Sequence, residues 1–361
     1  MTNGRAGGLS RRAVLAGGAA SLIPFRAAGA NEALFLAGCR LSDGQDAAAL
    51  FDGAGAIVAV SPIDARGHGG AVSPDRRVGV LFARRPGQFA VVFDLNARRR
   101  VGAFAPPAER RFAGHGAFSA DGRLLYATEN DFEAERGVVG VYDVAAGYRR
   151  VGEFATHGVG PHEMLLMRDG ETLAVANGGI ATHPDFPRMK LNLPFMEPSL
   201  ALIRASDGEL LARAALPERL HKLSIRHIAE AGGAEIWLGM QFEGPPDERV
   251  PLVGRFHRDR GIVLNEGWGG AYARLDQYVG SVAASRDGAT VVTTSPRGGV
   301  ALEWDVATRR LRAEHRLADV SGVAAHGPAG FILTTGRGLI APAEAPVLAT
   351  DVAWDNHIRA V

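Results

Sequence analysis

Short runs of alternating apolar and polar residues fill almost the whole chain, and no stretch keeps a long helical period. Period-two alternation between turn signals is the pattern of half-buried β-strands. Two kinds of hairpin recur. One kind is "FAVVFDLNARRRVGAFAPP" (89–107), "GVVGVYDVAAGYRRVGEFATH" (137–157), "PSLALIRASDGELLARAALPE" (198–218) and "GVALEWDVATRRLRAEHRL" (299–317). The other precedes most of these: "GHGGAVSPDRRVGVLFA" (67–83), "GHGAFSADGRLLYATEND" (114–131), "GPHEMLLMRDGETLAVANGG" (160–179) and "VGSVAASRDGATVVTTSP" (279–296). Joined, the two kinds make a four-stranded unit. Asp121, Asp169 and Asp287 fall at the tight turns and are read as turn formers. The glycines of "GHGG" and "VANGGI" are read as loop residues that permit positive φ.

The repeat has a length. His68, His115 and His162 lie 47 residues apart, His227 follows a longer interval, and Ser281 and Gly322 continue the series. Four-stranded units at roughly 40–50 residues mark a β-propeller. The terminal "WDNHIRAV" (354–361) reads as a first strand without partners, and "ALFLAGCRL" (33–41) with "AIVAVSPID" (56–64) as later strands without a first. Pairing the two ends completes the last blade and removes an exposed sheet edge. The expected fold is therefore all-β, a seven-bladed β-propeller closed by its N- and C-terminal strands, with residues 31–361 as a single domain.

Residues 1–30 are read separately. Arg11-Arg12, a short Gly-rich apolar run and Ala28-Gly29-Ala30 come in the order of a twin-arginine export signal with its cleavage site. The run is too short for a membrane span, and a periplasmic location is expected. "LAGC" (36–39) mimics a lipoprotein box but is read as strand. The removed part carries four Arg and no acid, so the remainder holds 36 basic against 39 acidic side chains. That balance argues against nucleic-acid binding. One cysteine, Cys39, excludes an internal disulfide.

The histidines carry the candidate chemistry. In a propeller the loop entering each innermost strand and the loop leaving the second strand share one face. His162-Glu163 is then expected near Asn177-Gly178, His115 near Asn130-Asp131 and His227 near Gln241, with Asn356 and His357 opening the closing blade. His68, His115, His162, Glu163, His227 and His357 form a candidate metal set at the channel mouth, and neutral imidazole with carboxylate suits iron, copper or zinc. His68 and His162 stand seven residues before their turn aspartates and His115 six. One residue of offset turns a side chain to the other face unless a bulge absorbs it, so His115 with His162 and His115 with Glu163 both stand. The long insertion "IATHPDFPRMKLNLPFMEPSL" (180–200) brings His183 and Arg188, and its Pro, Met and Phe content predicts packing on the mouth. Arg226 and Arg297 add positive charge. With Asn130, Asn177, Gln241 and Asn356 these are the candidate ligand-binding residues. No Cys pair, His-x-x-x-His helix or Gly-x-Ser-x-Gly elbow is present, and no catalytic residue is assigned.

"HGAFSADGRLLYATENDF", the long "GVGPHEMLLM…FMEPSL" stretch, "LSIRHIA", "SPRGG" and "WDNHIRAV" resemble domain-of-unknown-function family fifteen-thirteen, exported propeller-like proteins of Gram-negative bacteria. More distantly the repeats look like the quinoprotein amine dehydrogenase β-chain-like and YVTN propellers. The resemblance implies an accessory role in periplasmic iron handling beside imelysin-type iron-uptake proteins. Separately, the donor set leads to the expectation of an iron or copper ion as cofactor, and a monomer is expected. Two other readings stand beside a binding propeller. One is a metal-dependent enzyme of lactonase or oxidoreductase type using the same site. The other is an interaction scaffold that docks through 180–200.

Overall fold

The computed structural model describes residues 33–84, 87–186, 189–342 and 346–361. They form seven four-stranded antiparallel sheets. Innermost strands of successive sheets lie side by side around a complete ring, which makes a seven-bladed propeller. From the channel outward, blade one is Gly67–Val72, Val78–Ala83, Ala90–Asp94 and Arg99–Phe104. Blades two to six begin with Arg110–Phe118, Pro161–Leu166, Leu223–Glu230, Ser281–Ala284 and Val320–His326. Blade seven takes its innermost strand, Ala353–Ala360, from the C-terminus and its other three, Leu34–Arg40, Asp46–Asp52 and Ile57–Pro62, from the N-terminal side. This closure follows the expectation from the unpaired terminal patterns.

The core lies between neighbouring sheets. Trp237 of blade four and Trp304 of blade five are wholly buried with ring centroids 6.4 Å apart, and within the closing sheet Phe51 packs on Trp354 at 5.0 Å. Cys39 is buried in its strand and its thiol is pushed up to about 12, first by burial and then by Asp355 and Asp46. Outermost strands such as Arg149–Ala155 alternate exposed and half-buried positions, and their arginines blunt the free edge. The turn aspartates act as read. Asp169 Oδ1 accepts from the backbone N–H of Glu171 and Thr172, both at 2.9 Å, and Gly170 takes φ of 74°.

One irregularity repeats. The innermost strand bulges against its partner between Gly67 and Gly70, Phe112 and Gly116, Pro161 and Met164, Ile225 and His227, Val320 and Gly322, and Trp354 and Ile358. Blade five pairs without a shift. A bulge frees a residue from the ladder and re-aims its side chain. Five blades carry a histidine in or at the end of theirs.

Candidate metal centre

Those five histidines meet in the channel. His68, His115, His162, His227 and His357 come from five different blades, and their ring centroids stand 4.4 to 6.1 Å apart wherever two rings are in contact. Ring nitrogens within 4.8 Å of one another define two triads, His68–His115–His357 and His115–His162–His227. The five histidines are only 1–7 % exposed.

The offset between His115 and His162 is absorbed by a longer bulge in blade two, between Phe112 and Gly116. Both rings therefore reach the cluster, and Glu163 joins them: its Oε1 lies 3.9 Å from His115 Nδ1 and its Oε2 3.2 Å from His227 Nδ1. The Ile228 backbone N–H also donates to Glu163 Oε2.

Tight glycines make room. A Cβ on Gly69 would lie 2.5 Å from His115 Nδ1, and one on Gly114 would lie 2.7 Å from His68 Cδ2. Gly114 also holds φ of 103°, which side chains avoid. Gly67, Gly69 and Gly70 are not among the positive-φ residues. Contrary to the sequence reading, "GHGG" lies in strand and its glycines supply space.

The five rings differ in what their nitrogens meet. His68 is fully engaged: Nδ1 lies 3.1 Å from Asp355 Oδ1, and Arg84 Nη1 donates to Nε2 at 3.2 Å. His227 holds Glu163 through Nδ1, and His357 Nδ1 lies 3.2 Å from Ser281 Oγ. Three buried nitrogens, His115 Nε2, His162 Nδ1 and His357 Nε2, have no hydrogen-bond partner among the described residues. A buried nitrogen without a partner costs about 1–3 kcal/mol.

Charge reinforces this pattern. Burial, then neighbouring imidazoles and Arg84, hold His68 and His115 well below the usual histidine range. Burial and then Arg84 do the same for His162 and His227, and burial followed by His227 brings His357 down to about 3. All five are neutral at physiological pH, and all but His68, whose two nitrogens are both engaged, keep a lone pair for a ligand. Burial pushes the Glu163 carboxyl up.

The amides go elsewhere. Asn130 opposes Arg111, since the long bulge sets His115 deeper, and its Nδ2 donates to Thr182 O. Asn177 pairs with Pro161, next to His162 as expected, but its side chain donates to Thr156 O. Gln241 opposes Ser224, and the residue facing His227 is Gly239. The Gln241 side chain donates to Val279 O. Asn356 lies in the blade-seven bulge and donates its backbone N–H to Asp355 Oδ1. The Asn130, Asn177 and Gln241 side chains thus bond backbone carbonyls outside the cluster.

His183 stays on the insertion, against Phe132 and 3.4 Å from Glu133, and Arg297 lies over the Tyr278 ring. Arg188 lies outside the described residues, as does the whole 1–30 segment. The insertion runs from Asn130 of blade two to an ion pair between Lys190 and Glu243, just after the second strand of blade four. Met196 is buried, but Phe186, Met189 and Phe195 face outward, in contrast to the packing expected from composition. Arg226 sits in the blade-four bulge beside His227.

Asp355, Arg84 and Ser281 were missed as site residues. Asp355 stands two positions before His357 in "WDNHIRAV", a spacing that could have singled it out.

Comparison with known proteins gives one family. A family model described as "Protein of unknown function (DUF1513)" matches residues 61–361. No curated protein matches the chain.

Proposed function

The chain belongs to the DUF1513 family of proteins of unknown function, and from its side chains we propose that it is an exported binding propeller that holds one transition-metal ion in its channel. Three buried imidazole nitrogens without a hydrogen-bond partner carry this reading. Evolution tolerates that expense where a ligand repays it.

His115, His162 and His227 hold the ion. Glu163 accepts the Nδ1 proton of His227, so Nε2 is the lone pair that faces the cluster. Such a carboxylate–histidine pair orients the ring and raises its basicity. His357 is the fourth donor within reach of His115 and His227. His68, saturated by Asp355 and Arg84, supports the set from outside. Buried imidazole donors suit iron, copper or zinc. The twin-arginine-like order of residues 1–30 supports a periplasmic setting, and a role beside imelysin-type iron-uptake proteins is proposed there. No helix among the described residues is long and apolar enough to cross a membrane.

Metal analysis of the purified protein tests the reading, with His162→Ala and His227→Ala alongside. The expected result is about one ion per chain in the wild type and little in either variant. Absence of metal above background in the wild type after loading with iron, copper or zinc overturns it.

A further inference from the structure

Positive charge collects around the proposed metal position. Arg84 acts on all five imidazoles. Arg226 acts on His162 and His227. Arg66 reaches His68, and Arg359 reaches Glu163. The carboxylates acting on the same rings are Glu163 and Asp355, and Asp355 is already paired with Arg66.

The imidazoles bring no negative charge of their own, so a divalent ion would add to an existing excess of cations. In a buried site that excess is costly unless an anion enters. Geometry places the cations for this purpose. The Arg84 side chain packs along Gly114, where a Cβ would lie 3.2 Å from its Cδ, and its Nη1 reaches His68 Nε2 beside the His115 and His357 rings. Arg226 lies in the blade-four bulge one residue before His227, and a Cβ on Gly178 would lie 3.4 Å from its Nε.

We infer that the metal site takes a small anion, of carboxylate or oxyanion type, as a further ligand held between Arg84 and Arg226. The inference rests on the metal reading above and adds the chemical class of what the ion receives. Binding is ligand exchange: the anion replaces a water on the ion, and no bond within the anion breaks.

Azide titration of the copper(II)-loaded full-length chain tests it, read as the azide-to-copper charge-transfer band per bound copper, with copper measured by mass spectrometry. The wild type is expected to saturate. Arg84→Gln is expected to weaken azide by about tenfold or more, Arg84→Lys to recover most of that loss, and Arg226→Gln to weaken it in the same direction. If Arg84→Gln fails to fold, the comparison of Arg226→Gln with wild type decides. Equal azide affinity per copper in wild type and in the folded Gln variants overturns the anion site and leaves the metal site standing, as does copper-loaded wild type that binds no azide. Wild type that takes up no copper, iron or zinc overturns both.

Discussion

Replacing His162 by leucine should strengthen the metal-free protein while abolishing metal uptake. His162 is 2 % exposed and its Nδ1 has no partner. The ring therefore leaves a desolvated polar atom unpaired, at a cost of about 1–3 kcal/mol. Leucine is of similar volume and removes that cost. Some overpacking offsets the gain, so the net expectation is a stabilisation of about 1–2 kcal/mol. Metal should reverse the order, since a ligand at a hundred times its Kd stabilises the wild type by about 2.7 kcal/mol and the variant not at all. Thr128→Val is the internal control. Thr128 Oγ1 lies 3.1 Å from His115 O and 3.0 Å from His162 O, so this equally buried hydroxyl is satisfied and its loss should cost about 1–2 kcal/mol. Denaturant midpoints at neutral pH, with chelator and with metal, measure all three. A metal-free His162→Leu protein weaker than wild type by about 2 kcal/mol or more would refute the reasoning. It would mean that the imidazole is a hydrogen-bonded structural group.

Three further expectations follow from the same geometry. Glu163→Gln should lower metal affinity by about 10- to 100-fold with the fold intact, by loosening His227; competition against a chelator of known affinity measures it, and an unchanged Kd counts against the carboxylate's role. Gly69→Ala alters no donor yet should displace His115, so its metal content should fall toward that of His115→Ala while its circular dichroism stays that of a β-protein. The metal-free protein should lose stability as pH falls below about 6.5. The folded rings stay neutral there while the unfolded chain gains protons, so each histidine removes up to about 1.4 kcal/mol per pH unit. Glu163, whose carboxyl is pushed up, works in the opposite sense for a single proton. Chemical denaturation at pH 7.5 and 5.5 reads the sum, and a flat profile contradicts the buried neutral cluster.

The architecture was legible along the chain because blades one, two, three and five repeat one local grammar: a polar strand entry, an Asp-Gly or Ser-x-Asp turn and alternating strands. Even the closing blade could be read, since "WDNHIRAV" and "ALFLAGCRL" each lacked the partner the other supplies. The five histidines were likewise marked by their common place before the second strand.

Their geometry was another matter. Period-two alternation placed His115 and His162 on opposite faces, and simple hairpin register placed Asn130 and Gln241 beside histidines. The bulges undo both inferences. A bulge is set by how an innermost strand fits between its neighbours around the ring, and no residue in the strand specifies it alone. The same tertiary closure brought Asp355 and Arg84, 271 positions apart in the chain, onto the two nitrogens of His68. Local sequence thus determined the strands, the repeat and the types of donor available. Only the packing of seven sheets about one axis decided which donors meet, because side-chain direction in a strand changes with every inserted residue and long-range partners have no local signal.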